Sequence, residues 1–420
     1  MIKEQLILYR NPRRAEILDY MEELMSGDDG HIYEAFHLLT EMAAHHGFEG
    51  NVWHDYLAYV LANHENAFST ACEVVGRVEG SVNEMARHDI RRFRQWFKYD
   101  LEELDAKYGT TLFAVLKNYQ SVRGQSKDYN QRVRNRILTL AKELASAESE
   151  EEFLNNLTDF YQHFGVGKFG LHKAFRIENR NGNVEILPIT RTEHVNLSDL
   201  VGYESQKAKL VENTEAFLKG KKANNVLLYG DAGTGKSSSI KALMNEYYEQ
   251  GLRLIEVYKY QMRDLLAVIG QIKNRNYKFI IYMDDLSFEE FETEYKYMKA
   301  IIEGGMERRP DNMLIYATSN RRHLIKETFS DSRTGDDDLH KTDSIQERLS
   351  LAARFGVSIY YGKPLKKDFQ EIVRVLAARE GLDIPEEELL MEANKWELSH
   401  GGMSGRTATQ FITWLAGTRE

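Results

Sequence analysis

Gly230-Asp-Ala-Gly-Thr-Gly235-Lys236-Ser237 matches the phosphate-binding pattern G-x-x-x-x-G-K-[ST], and this match indicates the fold. An apolar run at 226–229 precedes it, and a segment with helical spacing follows at 238–248. Glycines let backbone N–H groups turn towards phosphate oxygens, and a helix N-terminus adds positive potential. We therefore predict that a nucleotide's phosphates are bound by Gly230, Asp231, Ala232, Gly233, Thr234, Gly235, Lys236, Ser237 and Ser238.

Two side chains of this motif contact the nucleotide and its metal ion, and a second predicted strand ends in the carboxylate that completes the metal site. Lys236 reaches the β- and γ-phosphates in proteins that carry the motif, and the Ser237 hydroxyl binds Mg²⁺. The apolar run 279–283 ends in Asp284 and Asp285. We predict that Asp284 holds Mg²⁺ through water, in the manner of a Walker B aspartate.

Asp285 occupies the position where a glutamate usually polarises the attacking water. Aspartate is shorter than glutamate by one methylene, so the sequence does not decide whether its carboxylate reaches the water. Glu289 and Glu290, on the segment that follows, are the alternative bases. A third apolar run, 313–317, ends in Thr318-Ser319-Asn320, and we assign Asn320 to orienting the water near the γ-phosphate.

Apolar runs at regular intervals indicate the fold class. Those at 226–229, 252–257, 279–283, 313–317 and 357–361 alternate with helical segments, which predicts a largely parallel α/β sheet. After Pro364, helical spacing at 366–380, 386–398 and 407–418 predicts a small C-terminal lid.

The first part of the chain has a different pattern. Only Pro12 precedes Pro188, and the apolar spacing is helical, which predicts an all-α N-terminal domain. Two extended segments then flank a turn-rich pentapeptide, 178–182, which is typical of a β-hairpin or an extended linker. The predicted divisions are helical domain 1–165, hairpin or linker 166–196, α/β core 197–363 and helical lid 364–420.

These motifs in this order resemble the AAA+ P-loop ATPases over residues 197–420. The segment 347–356 resembles the family's box VII, with Arg354 at the arginine position and Arg348 as a rival. The segment 402–408 resembles sensor 2, with Arg406 as its arginine, and 200–203 resembles the upstream box near adenine. The resemblance implies bound ATP and Mg²⁺, catalytic roles for Arg354 and Arg406, and self-association that brings Arg354 to a neighbour's nucleotide.

Within AAA+ proteins, the chain resembles a bacterial family catalogued as a domain of unknown function. The runs that carry this resemblance are 284–289, 303–310 and 318–323. The resemblance implies the AAA+ fold, ATP binding and a helical N-terminal region, but it implies no client.

Composition limits the partners. The 420 residues include 42% hydrophobic and 29% charged residues, and Lys+Arg 55 against Asp+Glu 65 gives a net charge of −10. This balance disfavours a protein-wide nucleic-acid or anionic-membrane surface. The single cysteine, Cys72, excludes an intramolecular disulfide. We expect a cytoplasmic protein without a membrane segment.

Three further clusters are better explained by structure than by binding. His45, His46 and His54 lack the spacing of a metal motif. The segment 91–98 mixes cations with aromatics, but its aromatics share one helical face, which is typical of a core helix. The acidic run 330–343 is typical of a solvated loop.

Two functions from different classes follow. The first is an ATPase that couples turnover to the remodelling or assembly of an unidentified protein client. The alternative is an ATP-controlled nucleic-acid-binding switch that resembles replication initiators or helicase loaders. A non-hydrolysing scaffold is a third hypothesis, because position 285 is aspartate.

Overall fold

Two compact units make up the chain, Met1–His172 and Lys173–Glu420. The computed structural model describes residues 5–121, 131–288, 294–303, 309–320 and 353–418. Within these residues no helix is both long enough and apolar enough to cross a membrane.

The first unit is helical, which confirms the all-α prediction for this part of the fold. Consecutive helices pack around large buried aromatic side chains such as Trp53, Tyr56 and Tyr161. The helices are α1 (Ala15–Ser26), α2 (Ile32–His46), α3 (Val52–Asn63), α4 (Ala67–Val75), α5 (Ser81–Lys98), α6 (Glu102–Tyr108), α7 (Leu112–Lys117), α8 (Gln131–Ser146), α9 (Glu150–Phe164) and α10 (Gly167–Leu171).

Helix α5 contains the mixed basic and aromatic segment. Its aromatic residues Phe93, Trp96 and Phe97 are buried, which confirms the prediction of a core helix. The indole of Trp96 donates to Glu22 at 2.9 Å, and the indole of Trp53 donates to the Trp96 carbonyl at 3.0 Å. The aromatic face of α5 is therefore fixed inside the helical unit.

The second unit is built on a seven-stranded sheet with the order β2-β1-β4-β5-β6-β3-β7. The strands are β1 (Ala174–Arg180), β2 (Asn183–Pro188), β3 (Val226–Gly230), β4 (Leu252–Glu256), β5 (Lys278–Met283), β6 (Met313–Ser319) and β7 (Val357–Tyr361). All pairs are parallel except β1–β2. The five predicted strands are confirmed, because strands buried on both faces read as continuous apolar runs.

The hairpin β1–β2 is part of this sheet. Strand β1 pairs in parallel with β4, with Ala174 opposite Leu254, and it pairs antiparallel with β2. The sequence predicts a separate hairpin or linker at 166–196. In the structure the hairpin extends the sheet at the β4 edge, whereas α10 lies within the first unit.

Helices connect the strands and form the lid. The connecting helices are α11 (Glu204–Leu218), α12 (Lys236–Tyr247), α13 (Leu265–Ile272) and α14 (Glu294–Glu303), and the lid helices are α15 (Lys366–Arg379), α16 (Glu386–Ser399) and α17 (Gly405–Thr418). The lid has its own apolar core, which includes Phe369, Val373 and Phe411, and Val201 packs against it. Fold class is thus as predicted: an α/β core with a largely parallel sheet and a C-terminal helical lid. The acidic run 330–343 lies outside the described residues.

Candidate nucleotide-binding site

The glycine-rich loop between β3 and α12 has a backbone that only glycines adopt easily. Gly230, Gly233 and Gly235 have φ values of 132°, 75° and 90°. A Cβ atom at Gly230 would lie 2.1 Å from the carbonyl oxygen of Tyr361, so a side chain there would clash with backbone. The loop ends where α12 begins at Lys236, and the positive end of that helix faces the loop.

Lys236 is a buried cation at the end of the loop. Its side chain is 6% exposed, and its Nζ donates to the carbonyl oxygens of Gly230 (3.0 Å) and Asp231 (2.6 Å) and to Asn320 Oδ1 (3.1 Å). Burial lowers the pKa of this ammonium, while the nearby carboxylates of Asp285, Asp231 and Asp284 act to raise it. Lys236 therefore links the phosphate-binding loop to the end of β6.

Asp284 receives three hydrogen bonds on one oxygen. The hydroxyls of Ser237 and Thr318 each donate to Oδ1 at 2.6 Å, and the backbone N–H of Asp285 donates to the same atom at 3.2 Å. The side chain is exposed to the cavity, although the surrounding protein still desolvates it enough to act towards a higher pKa. The hydrogen bonds outweigh this desolvation and hold the pKa of Asp284 below its usual value, so the group is anionic near neutral pH.

Asp285 has an unusual backbone conformation. Its φ is 47°, in the left-handed region that non-glycine residues rarely adopt. Its N–H donates to Thr318 Oγ1 at 2.9 Å, and Asn320 Nδ2 donates to its carboxylate at 2.7 Å. Backbone strain of this kind is typical of functional sites. Since Asn320 also accepts from Lys236, one amide joins the loop lysine to the proposed base.

These groups line one cavity of about 610 Å³, a size that suits a small-molecule ligand. The phosphate-binding loop, Asp284, Asp285 and Asn320 form its polar end. The remaining described lining includes the upstream box and two lid helices, with the residues Leu200, Val201, Tyr203, Ile372, Leu376 and Arg406. The lining thus combines polar groups that can bind phosphates with apolar side chains that can contact a base.

The lid is attached to the loop at the cavity. The backbone N–H of Arg406 donates to the Gly233 carbonyl at 3.3 Å, and a Cβ atom at Gly233 would lie 3.0 Å from Ser404 Oγ. On the other side, the Arg379 guanidinium donates to the carbonyls of Ser198 (3.0 Å) and Asp199 (2.9 Å). The lid therefore contacts both the phosphate-binding loop and the segment that leads into the upstream box.

The predicted site residues fall into three groups. The loop residues, Asp284, Asp285, Asn320 and Arg406 lie in or beside the cavity. Arg354 is half-buried just before β7 and is not among the cavity-lining residues. The alternative bases Glu289 and Glu290, the rival Arg348, and the segment 321–323 lie outside the described residues.

Two residues that contribute to the site were not predicted from the sequence. Thr318 was read only as part of a polar strand end, yet its hydroxyl both accepts from Asp285 and donates to Asp284. Lys207 donates to the Leu200 carbonyl at 2.6 Å and fixes the upstream box. The adjacency of β5 and β6 was the signal for Thr318, because parallel neighbours bring their carboxyl ends together.

The histidine cluster does not form a metal site among the described residues. His46 and His54 are half-buried, and burial lowers their pKa values to about 3 and about 4. Both are therefore neutral at physiological pH, as expected for structural histidines.

Comparison with known proteins gives one family match and several partial likenesses. The model of a family described as "Protein of unknown function (DUF815)" matches residues 170–419. The replication factor C large subunit of Staphylothermus marinus is 40% identical over 62 residues, and this match spans 14% of each chain. The whole-protein properties of that relative therefore do not transfer.

The solved structures that resemble this chain do so weakly. A point mutant of RuvB from Thermotoga maritima is 16% identical, with a TM-score of 0.37, over 53% of this chain and 65% of that chain. The FIGL-1 AAA domain in complex with ADP is 17% identical, with a TM-score of 0.37, over 54% of this chain and 74% of that chain. At these scores, a functional assignment has to come from the geometry of the present site.

Proposed function

The chain belongs to the DUF815 family, whose model matches residues 170–419, and we propose that it binds ATP with Mg²⁺ and hydrolyses the ATP. We further propose that turnover drives the remodelling or assembly of a client protein. The ATPase proposal is supported mainly by two sets of hydrogen-bonded side chains that lie together at one edge of the sheet. One set is Ser237, Asp284 and Thr318, and the other is Lys236, Asn320 and Asp285.

The first set fits a divalent cation. Hydroxyl and carboxylate oxygens are the ligands that Mg²⁺ prefers, and Asp284 is held in its anionic form. Ser237 and Asp284 would hold the ion, the serine directly and the aspartate through water. Bound Mg²⁺ would neutralise charge on the β- and γ-phosphate oxygens.

The second set fits the chemistry of the attacking water. Lys236 now donates to two carbonyls and an amide, and its ammonium can transfer these hydrogen bonds to phosphate oxygens. Loss of the Lys236 contact would leave Asn320 free to orient the water. Asp285, which that amide contacts, would accept the proton of the water.

The rest of the cavity lining, which includes residues of the lid, can bind the adenine base of ATP. Leu200, Val201, Ile372 and Leu376 provide apolar contacts for a planar ring. Arg406 is exposed at the start of α17 beside the loop, where its guanidinium can approach a phosphate. Closure of the lid on ATP would then be the movement that the nucleotide controls.

Self-association is proposed from the sequence motif around Arg354. Arg354 does not line the cavity of its own chain, as expected of an arginine that acts in the site of a neighbouring subunit. Arginine fingers of this kind increase turnover by about 10³–10⁵-fold. The site would then be fully active only in an oligomer.

The nucleic-acid alternative has little support in the helical unit. Arg87 and Arg91 on α5 form ion pairs with Glu151 (2.6 Å) and Glu150 (3.0 Å) at the start of α9. Arg94 donates to the Glu148 carbonyl at 2.8 Å. These cations are held by the fold itself. Salt-dependent DNA binding by the full chain would nevertheless favour the alternative.

Binding of a fluorescent ATP analogue tests the proposal at its first step. The full-length protein should bind the analogue, and Lys236→Ala should weaken binding by at least about 100-fold, because a cation is lost from the phosphate site. Lys241→Ala is the matched control, because this lysine lies on the same helix and pairs with Glu193 at 3.1 Å. Equal affinity in all three proteins would refute the phosphate-binding assignment.

A further inference from the structure

Tyr282 is a buried tyrosine whose hydroxyl lacks a hydrogen bond. It lies on β5 two residues before Asp284, so the two side chains project to the same face of the sheet. The side chain is 1% exposed, and its hydroxyl oxygen has no hydrogen-bond partner among the described residues. A buried hydroxyl without a partner is destabilising, so its presence requires an explanation.

Two tyrosines in the same core cluster show what this fold does with a purely structural hydroxyl. Tyr316 lies directly opposite Tyr282 on β6, and its hydroxyl contacts Thr214 (2.9 Å) and Asn213 (3.0 Å). Tyr361 on β7 donates to Ser239 at 3.1 Å. Equivalent hydroxyls are therefore satisfied within the fold, and Tyr282 is the exception among these three.

The position of the Tyr282 hydroxyl explains the exception. It lies close to the Ser237 hydroxyl and the Asp284 carboxylate, but neither contact has both the distance and the angles of a formed hydrogen bond. Ser237 instead donates to Asp284. The unsatisfied hydroxyl thus lies beside the two side chains that the proposed function assigns to Mg²⁺.

We propose that Tyr282 is a positioning residue of the divalent-cation site, whose hydroxyl forms its hydrogen bonds only when a cation and nucleotide are bound. In that state it donates to Asp284 and accepts from a water molecule on the cation. A hydroxyl can do both at once, and a rigid buried ring fixes its direction. This inference depends on the proposed function, because it assumes a cation held by Ser237 and Asp284.

Mn²⁺ binding to the full-length protein with ADP tests the inference without measuring catalysis. Free Mn²⁺ is quantified by electron paramagnetic resonance for the wild type, Tyr282→Phe and the matched variant Tyr316→Phe. Loss of such an outer contact weakens metal binding by about 10–100-fold, so we expect at least a 10-fold loss for Tyr282→Phe. Tyr316→Phe should leave Mn²⁺ affinity unchanged, and ADP affinity in EDTA should be equal in all three proteins.

Thermal unfolding of the metal-free proteins gives an independent readout. Tyr282→Phe removes an unsatisfied oxygen, so it should unfold at the wild-type temperature or above. Tyr316→Phe breaks existing hydrogen bonds and should unfold at a lower temperature.

Three results would overturn the inference. The first is wild-type Mn²⁺ affinity in Tyr282→Phe, and the second is an equal loss of ADP affinity with and without metal. The third is a fall in the metal-free unfolding temperature as large as that of Tyr316→Phe, which would show a structural hydroxyl. A wild-type protein that binds neither ADP nor Mn²⁺-ADP would instead refute the proposed function itself.

Discussion

Asp89 in the helical unit and Asp284 in the nucleotide-binding unit are both carboxylates that accept several hydrogen bonds, but their donors differ. Asp89 is fully buried and accepts from the backbone N–H groups of Ile7 (2.9 Å), Leu8 (2.8 Å) and Tyr9 (3.1 Å). Asp284 faces the cavity and accepts mainly from two side-chain hydroxyls.

The type of donor distinguishes a structural carboxylate from a functional one. Backbone donors cannot turn away without unfolding the segment that carries them, so Asp89 fixes the N-terminal segment to α5. Hydroxyl donors rotate about one bond and can exchange the carboxylate for a ligand. Substitution of each carboxylate tests this contrast between fixed and exchangeable hydrogen bonds.

Asp284→Asn should have the largest effect on function. The substitution keeps the size of the side chain but removes the charge that would hold the cation's water shell, so Mg²⁺-dependent turnover should be abolished. Metal-free nucleotide affinity should remain near the wild-type value. Phosphate release and binding in EDTA measure these two properties, and turnover close to wild type would show that Asp284 is not the metal partner.

Arg354→Ala tests whether one chain supplies every catalytic group of its own nucleotide-binding site. If a neighbour supplies this arginine, ATP binding should persist while turnover falls by about 10³-fold or more. Turnover per subunit in the wild type should also rise with protein concentration. Mixing Arg354→Ala with Lys236→Ala should restore some activity, because the second variant still donates an intact Arg354. A concentration-independent rate without rescue would assign Arg354 a role within its own subunit.

Asp285→Asn should lower turnover by about 10²–10⁴-fold, the contribution of a positioned general base. Asparagine tolerates the positive φ of this position, so the fold and ATP affinity should be preserved. Phosphate release and analogue binding separate the two effects. An active Asp285→Asn protein would indicate that Glu289 or Glu290 is the base instead.

Much of this site was visible in the sequence, and the fold explains what was not. Residues 357–361 and 226–229 were predicted as strands and are observed as Val357–Tyr361 and Val226–Gly230. The local apolar pattern was sufficient to predict these two strands. Pairing of β1 with β4 was not predictable, because it depends on contact between segments about 80 residues apart.

The same contrast between local pattern and long-range pairing explains which site residues could be predicted. Lys236 and Ser237 belong to a local motif whose spacing carries the chemistry. Thr318 ends a strand, as many threonines do, and its role appears only when β6 is placed beside β5. The catalytic assignments of Asp285, Asn320, Arg354 and Arg406 are still predictions.

Asp89→Ala should produce the opposite pattern to Asp284→Asn. Three backbone N–H groups lose their acceptor, so local stability of the helical unit should fall by about 3 kcal/mol. Amide hydrogen exchange in α5 and the N-terminal segment measures the loss. ATP turnover should be unchanged, and an equal loss of turnover would contradict the contrast between the two carboxylates.

Asp55 should have the smallest effect on turnover, and its effect on stability depends on pH. Burial raises its pKa to about 8, against the opposing influence of Arg134 and Lys142 and with a small contribution from Glu49. The neutral form is therefore favoured in the folded state. Its contribution to stability is fully present below the unfolded pKa of about 3.9 and is lost as pH rises to about 8.

Asp55→Asn remains neutral at every pH, so it should become more stable than the wild type as pH rises from about 4 to 8. We expect the relative gain to grow with pH by up to about 1.4 kcal/mol for each pH unit. Hydrogen exchange of α3 at several pH values measures it, with Asp105→Asn as a control on another helix of the unit. A constant difference across this range would show that Asp55 titrates normally.

Phosphate release from ATP by the full-length protein tests the central claim most directly. We predict Mg²⁺-dependent release by the wild type, release at background level in EDTA, and release at background level by Lys236→Ala with Mg²⁺. The claim that these exchangeable hydrogen bonds form an ATPase site would be contradicted by background release from the wild type at every protein concentration, or by equal release from wild type and Lys236→Ala.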